Sequence, residues 1–458
     1  MPTQRTAALE FAKSNNSRFL SELKEFLTIP SISTDPDHQE DMIKAANWTA
    51  NQLNKLGLDK VEVFPTGGHP VVYAESASNN QDALTVLVYG HYDVQPTEPL
   101  ELWTSDAFEP VQRGENLFAR GASDMKGQVM ATIKALESVL NAGDLPINIK
   151  FLIEGEEEIG SPNLGDFISK NLELLKCDFA LNPDTGMIAP DLPTITYALR
   201  GLAYFEVRID GPDHDLHSGI YGGVVHNPAQ ALCELIAGMH DEGGKVTLPG
   251  FYDKVRIIDD EERGELSRLQ MGEDFYLKQT GAPALWGEEQ YSPVERVGAR
   301  PTLEVNGIYS GFIGEGSKTV LPAWAMAKIS TRLVPDQDPE EVHQQLVKYL
   351  EDNAPETISV KVTSLVGSPA SISDQNSLGV KAMQEAMQQV WGKKPLFRRE
   401  GGSVPVVVLF MDLLKVDSVN CGFSLPDDNA HSPNEKLHLP TWNNGIETII
   451  NFIYNLAD

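Results

Sequence analysis

The sequence predicts an α/β fold: a mixed, largely parallel sheet built from residues 1–199 and 368–458, interrupted by an inserted ferredoxin-like (βαββαβ) domain at 200–367. Three observations predict it. Strand-like and helix-like segments alternate through the first two hundred residues, the pattern of a sheet covered by helices. From residue 200 the order becomes β-α-β-β-α-β, a split βαβ unit able to fold by itself. After Pro369 the chain returns to helices and motif-bearing loops, so the first domain resumes after the second is complete.

The elements follow in order. MPTQRTAALEFAKSNNSRFLSELKEFLTIPSIS has no apolar leader core and reads as an amphipathic helix ending near Ile29-Pro30. ALTVLVYG (83–90), INIKFLIEG (147–155) and CDFALNPD (177–184) read as buried strands. GQVMATIKALESVLNAG (127–143) has helical spacing, with Gly143 as a stop. In the insert, LAYFEVRIDG, PTLEVNGI, WAMAKISTRLV and TISVKVTSLVG read as strands. HNPAQALCELIAGM and PEEVHQQLVKYLED read as helices, the first with Asn227 at the N-cap and Pro228 at the first helical position. Residues 240–297 read as irregular and acidic. SLGVKAMQEAMQQVWG and a last helix to Asn455 close the chain.

With 36 basic and 66 acidic residues the formal charge is -30, which argues against nucleic acid or an anionic membrane surface as partner. Acidity favours solubility and does not by itself identify a cationic substrate. Cys177, Cys233 and Cys421 are odd in number and widely spaced, so they predict neither a disulfide framework nor a zinc knuckle. No run reaches the length of a membrane span, and a cytoplasmic location is the expectation.

Chemistry gathers where strands end, as ligands do in parallel α/β sheets. In GHYDVQP (90–96), His91 and Asp93 are two apart and share one face of extended chain, as a metal-ligating histidine and its orienting carboxylate would. A surface histidine beside a turn would look the same. Asp124, in ARGASDMKGQ, precedes a helix and alone reads as an N-cap. GEEEIGS places Glu156, Glu157 and Glu158 just past a strand; LNPDTG places Asp184 likewise, and DDNAHSPNEK supplies His431. Two His with several Asp or Glu suit divalent ions such as zinc, manganese or cobalt. Two such ions, roughly 3.5–4 Å apart, can share a carboxylate and polarise a water. A neighbouring Glu can take that water's proton. Adjacent residues of a turning chain point differently, so one Glu can ligate while the next faces the water.

GHYDVQP, RGASDMKGQ, EGEEEIGS, DLHSGIYGG, ISTRLVP, GGSVPV and DDNAHSPNEK together resemble the metallopeptidase family of carnosinase-type dipeptidases, glutamate carboxypeptidases, aminoacylases and succinyl-diaminopimelate desuccinylase. The likeness runs from about residue 20 to the end, with the motifs in order. DLHSGIYGG, GSKTVLP and AHSPNEK are nearest the cytosolic non-specific dipeptidase branch. The resemblance implies a metal-dependent dipeptidase using a water activated between two divalent metals, zinc foremost, with manganese or cobalt as alternatives. His91, Asp124 and Asp184 would hold one metal and Asp124, Glu158 and His431 the other. Glu157 would be the general base, and Asp93 would orient His91. The peptide bond after Asp124 would be cis. The inserted domain would be lid and homodimer interface, with His217 reaching the partner's active site. Thr319, Arg332 and Ser403 would contact the substrate, Arg332 clamping its carboxylate.

Glu156 departs from the family pattern, and 240–297 has no clear counterpart. His38, His69, His214, His226, His240, His343 and His438 read as structural or solvated. GFIGEGSKT (311–319) is no P-loop, because Ser317 breaks the required spacing. A glycosidase would explain paired carboxylates but not His91 and His431. An inactive scaffold would have lost a ligand or the base. An N-acyl-amino-acid deacylase or a carboxypeptidase of the same family is the remaining alternative; only the pocket would differ.

Overall fold

The computed structural model describes residues 2–402 and 404–457. The chain divides into two compact units. The first comprises residues 1–197, 373–397 and 405–458, and the second residues 198–372 and 398–404.

The first unit is mixed α/β with a largely parallel central sheet. Asn148–Glu154, Thr85–His91, Phe179–Asn182 and Ser418–Cys421 lie side by side, all parallel. Antiparallel neighbours flank them: Val71–Ser76 and then Lys60–Phe64 on one side, Thr194–Leu199 on the other. The central strands are buried along almost their whole length, as strands of a parallel sheet covered on both faces are. His91 pairs with Glu154 at the carboxyl end of the sheet, so the GHYDVQP and GEEEIGS loops leave from the same edge.

Pro2–Leu27, Lys126–Ala142, Leu378–Trp391 and Leu439–Asn455 pack together as a helical layer. Lys126–Ala142 is the most enclosed, with nearly every side chain from Lys126 to Val139 buried. Lys126 itself is fully buried, donating to the Ile29 carbonyl at 2.7 Å with its ammonium 5.0 Å from the centre of the Phe26 ring. This bond satisfies a carbonyl just past the end of the first helix. Burial pushes the Lys126 ammonium down to about 7, against the pull of Asp93, Glu435 and Asp41.

In the second unit the strands run in the order Thr302–Ser310, Trp324–Leu333, Gly201–Asp210, Ser359–Ser368, all antiparallel. Gly201–Asp210 and Trp324–Leu333 alternate buried and half-buried residues, the period of a sheet with one face in the core. Phe205, Val207 and Ile209 form that face with Leu232 and Leu235 of Pro228–Ala237 and Leu346 and Leu350 of Pro339–Asn353. Asn227 caps the first of these helices by accepting from the Ala229 amide.

Residues 240–297, expected to be irregular, contain the helices Asp260–Ser267, Glu273–Thr280 and Pro293–Gly298. They are too short to display an apolar period, but two carried legible start signals. Asp259 accepts from the Glu262 amide, and Ser292 and Glu295 form a reciprocal capping box. Among the described residues no helix is long and apolar enough to cross a membrane.

Candidate metal centre

The carboxyl edge of the parallel strands assembles the site. Thr85–His91 ends on His91, which is fully buried. Its Nδ1 donates to the Asp93 carbonyl at 3.1 Å and lies 3.3 Å from the Asp93 carboxylate. The other carboxylate oxygen of Asp93 accepts from the Glu158 amide at 3.0 Å. With Nδ1 carrying the proton, Nε2 of neutral His91 is left with a lone pair.

Asp124 lies before the helix Lys126–Ala142, in a loop whose Asp124–Met125 peptide is cis. It does not cap that helix: Met125 occupies the N-cap position, and no side chain bonds there. One Asp124 oxygen stands 3.2 Å from His91 Nε2 and the other 3.0 Å from His431 Nε2. Asp184 follows Phe179–Asn182, its amide donating to the Asn182 side chain, and its carboxylate is 3.9 Å from His91 Nε2.

After Asn148–Glu154 the chain turns at Gly155, where any Cβ would fall 2.3 Å from the Tyr92 ring. A short helical turn, Glu157–Ile159, follows. Glu158 stands 3.2 Å from His431 Nε2 and accepts from the Gln95 amide nitrogen at 2.8 Å. His431 sits on a loop at φ 61°, with Asn429 and Asn434 also left-handed. Two groups of donors result, His91–Asp124–Asp184 and Asp124–Glu158–His431, the donor atoms of each within 4.8 Å of one another. Asp124 belongs to both.

The charges of this centre are out of balance without a cation. Burial pushes Glu157 up to about 9, against His91, with Asp184, Glu158 and Asp124 adding to the rise. Burial and Asp124 push Asp184 up to about 7. Burial opposes ionisation of Asp124 too, but the nearby imidazoles of His431 and His91 outweigh it and hold that carboxyl low. Hydrogen bonding to Asp124 and Glu158 raises His431 to about 10. Burial disfavours charge on His91, yet Asp124 and Asp93 carry it well above the usual imidazole range. Protons on the imidazoles are thus the only positive charge this cluster of acids finds among these groups. His91 Nε2 is buried and makes no hydrogen bond. An orphaned imidazole nitrogen facing carboxylate oxygens fits a divalent cation of the zinc, manganese or cobalt type.

The family model described as peptidase family M20/M25/M40 matches residues 87–455, which spans every one of these residues. The chain belongs to this family. The Cys-Gly metallodipeptidase of Schizosaccharomyces pombe is 31% identical, over 98% of this chain and 97% of the relative. The human Beta-Ala-His dipeptidase is 30% identical, over 97% and 91% of the two chains. Among solved structures, the M20 metallo-carboxypeptidase Sso-CP2 of Sulfolobus solfataricus aligns with a TM-score of 0.85 at 35% identity, covering 96% of this chain and 99% of its own.

Other expected residues of this M20 chain lie in the second unit. His217 and Thr319 come together in a two-stranded ribbon, in which His217 pairs with Val320 and the Ser218 amide donates to the Thr319 carbonyl. The Gly219 amide donates to His217 Nδ1 at 3.0 Å, which leaves Nε2 as the donor of a neutral ring. Arg332 is on the half-buried face of Trp324–Leu333, opposite Leu202. Ser403 lies outside the described residues.

Glu156, the departure from the family pattern, does not enter either group. It is 4% exposed and accepts from the His69 amide at 3.0 Å and from the Asn163 side chain at 3.0 Å, tying two loops together. Glu154 is buried and accepts from Tyr89 and Ser161, and burial with Asp93 pushes it up to about 8. Gln95 was missed from sequence; its place inside GHYDVQP was the available signal.

Proposed function

We propose that the chain is a metal-dependent dipeptidase that hydrolyses the amide bond of dipeptides. The two donor groups joined at Asp124 carry this reading, with Glu157 among the acids around them. Membership of the M20 family and the two dipeptidase relatives support it. His91, Asp124 and Asp184 would hold one divalent ion and Asp124, Glu158 and His431 the second, zinc before manganese or cobalt. When bound, such ions supply Lewis acidity toward the scissile carbonyl and make water a better acid.

The protein's own groups do the rest. Asp93 holds the His91 tautomer that leaves Nε2 free to ligate. Glu157 takes a proton from the attacking water and returns it to the leaving amine. The raised Glu157 carboxyl suits a proton carrier once cations have drawn its affinity down. His217 of the partner subunit donates from Nε2 to the oxygen that gains charge as water attacks. Arg332 clamps the substrate carboxylate, with Thr319 and Ser403 beside it.

In this reading the first unit, corresponding to 1–199 and 368–458, is the catalytic domain. The second, corresponding to 200–367, is a ferredoxin-like lid that also forms a homodimer. Exposed Ile308, Tyr309, Phe312 and Ile313 on and beyond the strand Thr302–Ser310 support a protein contact there. The three free cysteines suit a cytoplasmic setting.

A second reading, a carboxypeptidase acting on longer peptides, is favoured by the 35% identity to the Sulfolobus enzyme. A panel of dipeptides, tripeptides, longer peptides and N-acyl amino acids, assayed with zinc, manganese and cobalt, decides between them. Cleavage confined to dipeptides is expected. C-terminal trimming of longer peptides would replace the first reading with the second, and activity indifferent to complete metal removal would sink both.

A further inference from the structure

We propose that Glu435 is a positioning residue: with Arg120 it forms a buried hub that fixes the His431 loop to the loops bearing Asp124 and Asp93, and so sets the geometry of the Asp124–Glu158–His431 group. The proposal rests on reading that group as a cation site.

Glu435 and Arg120 are almost wholly buried. One Glu435 oxygen accepts from Arg120 Nη1 at 2.8 Å and from the Gly121 amide at 2.9 Å. The other accepts from the Ser123 amide at 2.9 Å and the Asp124 amide at 3.1 Å. Both oxygens are therefore saturated, and two of the four donors are the backbone of Asp124 and its neighbour. Arg120 then reaches on to the Pro96 carbonyl at 2.9 Å, in the loop that carries Asp93 and Gln95. A parallel tie runs through Asp428, which accepts from the Ser123 hydroxyl at 2.9 Å and from the Leu425 amide at 2.7 Å.

His431 is the ligand that most needs such ties. Its side chain is 55% exposed, and among the described residues its ring pairs with Asp124 and Glu158 alone, the other members of its group. No strand delivers it; its loop is held at one end by Asp428 and at the other by Asn434 and Glu435. Asn434 accepts from the Thr104 amide at 2.8 Å and donates to the Leu102 carbonyl at 2.7 Å. Glu435 lies only four residues past His431 and is the one tie that grips the Asp124 backbone directly. A carboxylate is required because all four partners are donors. An amide of equal size would turn an N–H₂ toward two of them. His91, by contrast, is placed by its strand and by Asp93, and has no bond to this hub.

The test is stepwise titration of the metal-stripped full-length chain with zinc alone, with thermal unfolding of the stripped chain measured beside it. Two zinc ions per wild-type chain are expected. In Glu435→Gln, one affinity should weaken by roughly 10–100-fold, the usual effect of losing an outer hydrogen-bond partner, and the other by clearly less, because Asp124 serves both groups while the His431 loop serves one. A residue serving the fold alone would lower the unfolding temperature and leave both affinities alike. Unchanged affinities, or equal losses at both positions, therefore overturn the proposal. If Glu435→Gln yields no folded protein, Arg120→Lys is titrated instead, since it keeps a cation beside Glu435 but cannot also reach Pro96. Selective weakening of one zinc again supports the hub, and two wild-type affinities overturn it. A wild-type chain that binds fewer than two zinc ions would remove the underlying reading of the site, an outcome distinct from failure of the hub.

Discussion

His91 stands at the end of a buried parallel strand, whereas His431 stands on an exposed loop, and the two groups they head share Asp124. In the first group, sheet register does the positioning: His91 pairs with Glu154, and Asp184 follows the adjoining strand. In the second group loops meet, and hydrogen bonds between them replace the sheet. The difference teaches that one centre can take half its precision from secondary structure and half from a polar network. The first half should tolerate loop substitutions, and the second should not.

The largest expected effect lies outside both groups. Glu157→Gln should lower turnover by roughly 10²–10⁴-fold, the usual share of a general base, while cation content stays at the wild-type level. Turnover near wild type would take the base assignment away from Glu157.

The comparison itself is tested by His91→Ala and His431→Ala. Each should lose one cation. His91→Ala should also destabilise the stripped chain by roughly 3 kcal/mol or more, because buried Asp93 loses its imidazole partner. His431→Ala should destabilise it less, since the His431 ring is half exposed although its partner Glu158 is buried. Equal destabilisation, read from denaturant unfolding, would break the contrast between strand-built and loop-built halves.

Next comes pH. In the cation-free chain His431 binds its proton up to about 10 and Asp184 up to about 7. A cation must displace those protons, so affinity should rise as pH rises from 5 to 8. Calorimetry at stepped pH checks this, and affinity independent of pH would contradict it.

Glu156→Ala should leave both cation affinities alone and lower stability by about 1–2 kcal/mol, as its half-buried donors His69 and Asn163 lose their acceptor. A changed cation affinity would return Glu156 to the site. A separate pH effect concerns Lys126, which is depressed to about 7 in the folded chain against an ordinary 10.5. Between those values the unfolded chain binds more protons, so this group makes stability rise with pH from about 7 to 10.5. Lys126→Met should flatten that part of the curve, measured as unfolding free energy against pH.

Much of this was legible in the residues. The apolar runs before His91, Glu156 and Asp184 announce strands buried on both faces, and such strands place their following loops on one edge. The order of elements from 201 to 368 was legible because alternation and helical period are local signals. The helices within 260–298 were not, since segments of six to eight residues are too short to display a period. Asp124 illustrates the limit best. Its setting before a helix matches an N-cap, and only contacts with residues far along the chain distinguish a shared ligand from a cap.

By itself the sequence determined which residue types collect at strand ends, and it told a two-His, many-carboxylate centre from a phosphate loop or a disulfide scaffold. Side-chain chemistry and period are carried by neighbouring residues, so no folding is needed to read them. The tertiary structure alone decided what Glu154, Glu156 and Glu158 each face. Glu158 faces His431, Glu156 turns to His69 and Asn163, and Glu154 is buried against Tyr89 and Ser161. Those partners lie up to hundreds of residues apart, and long-range contact is the one thing that a local pattern does not encode.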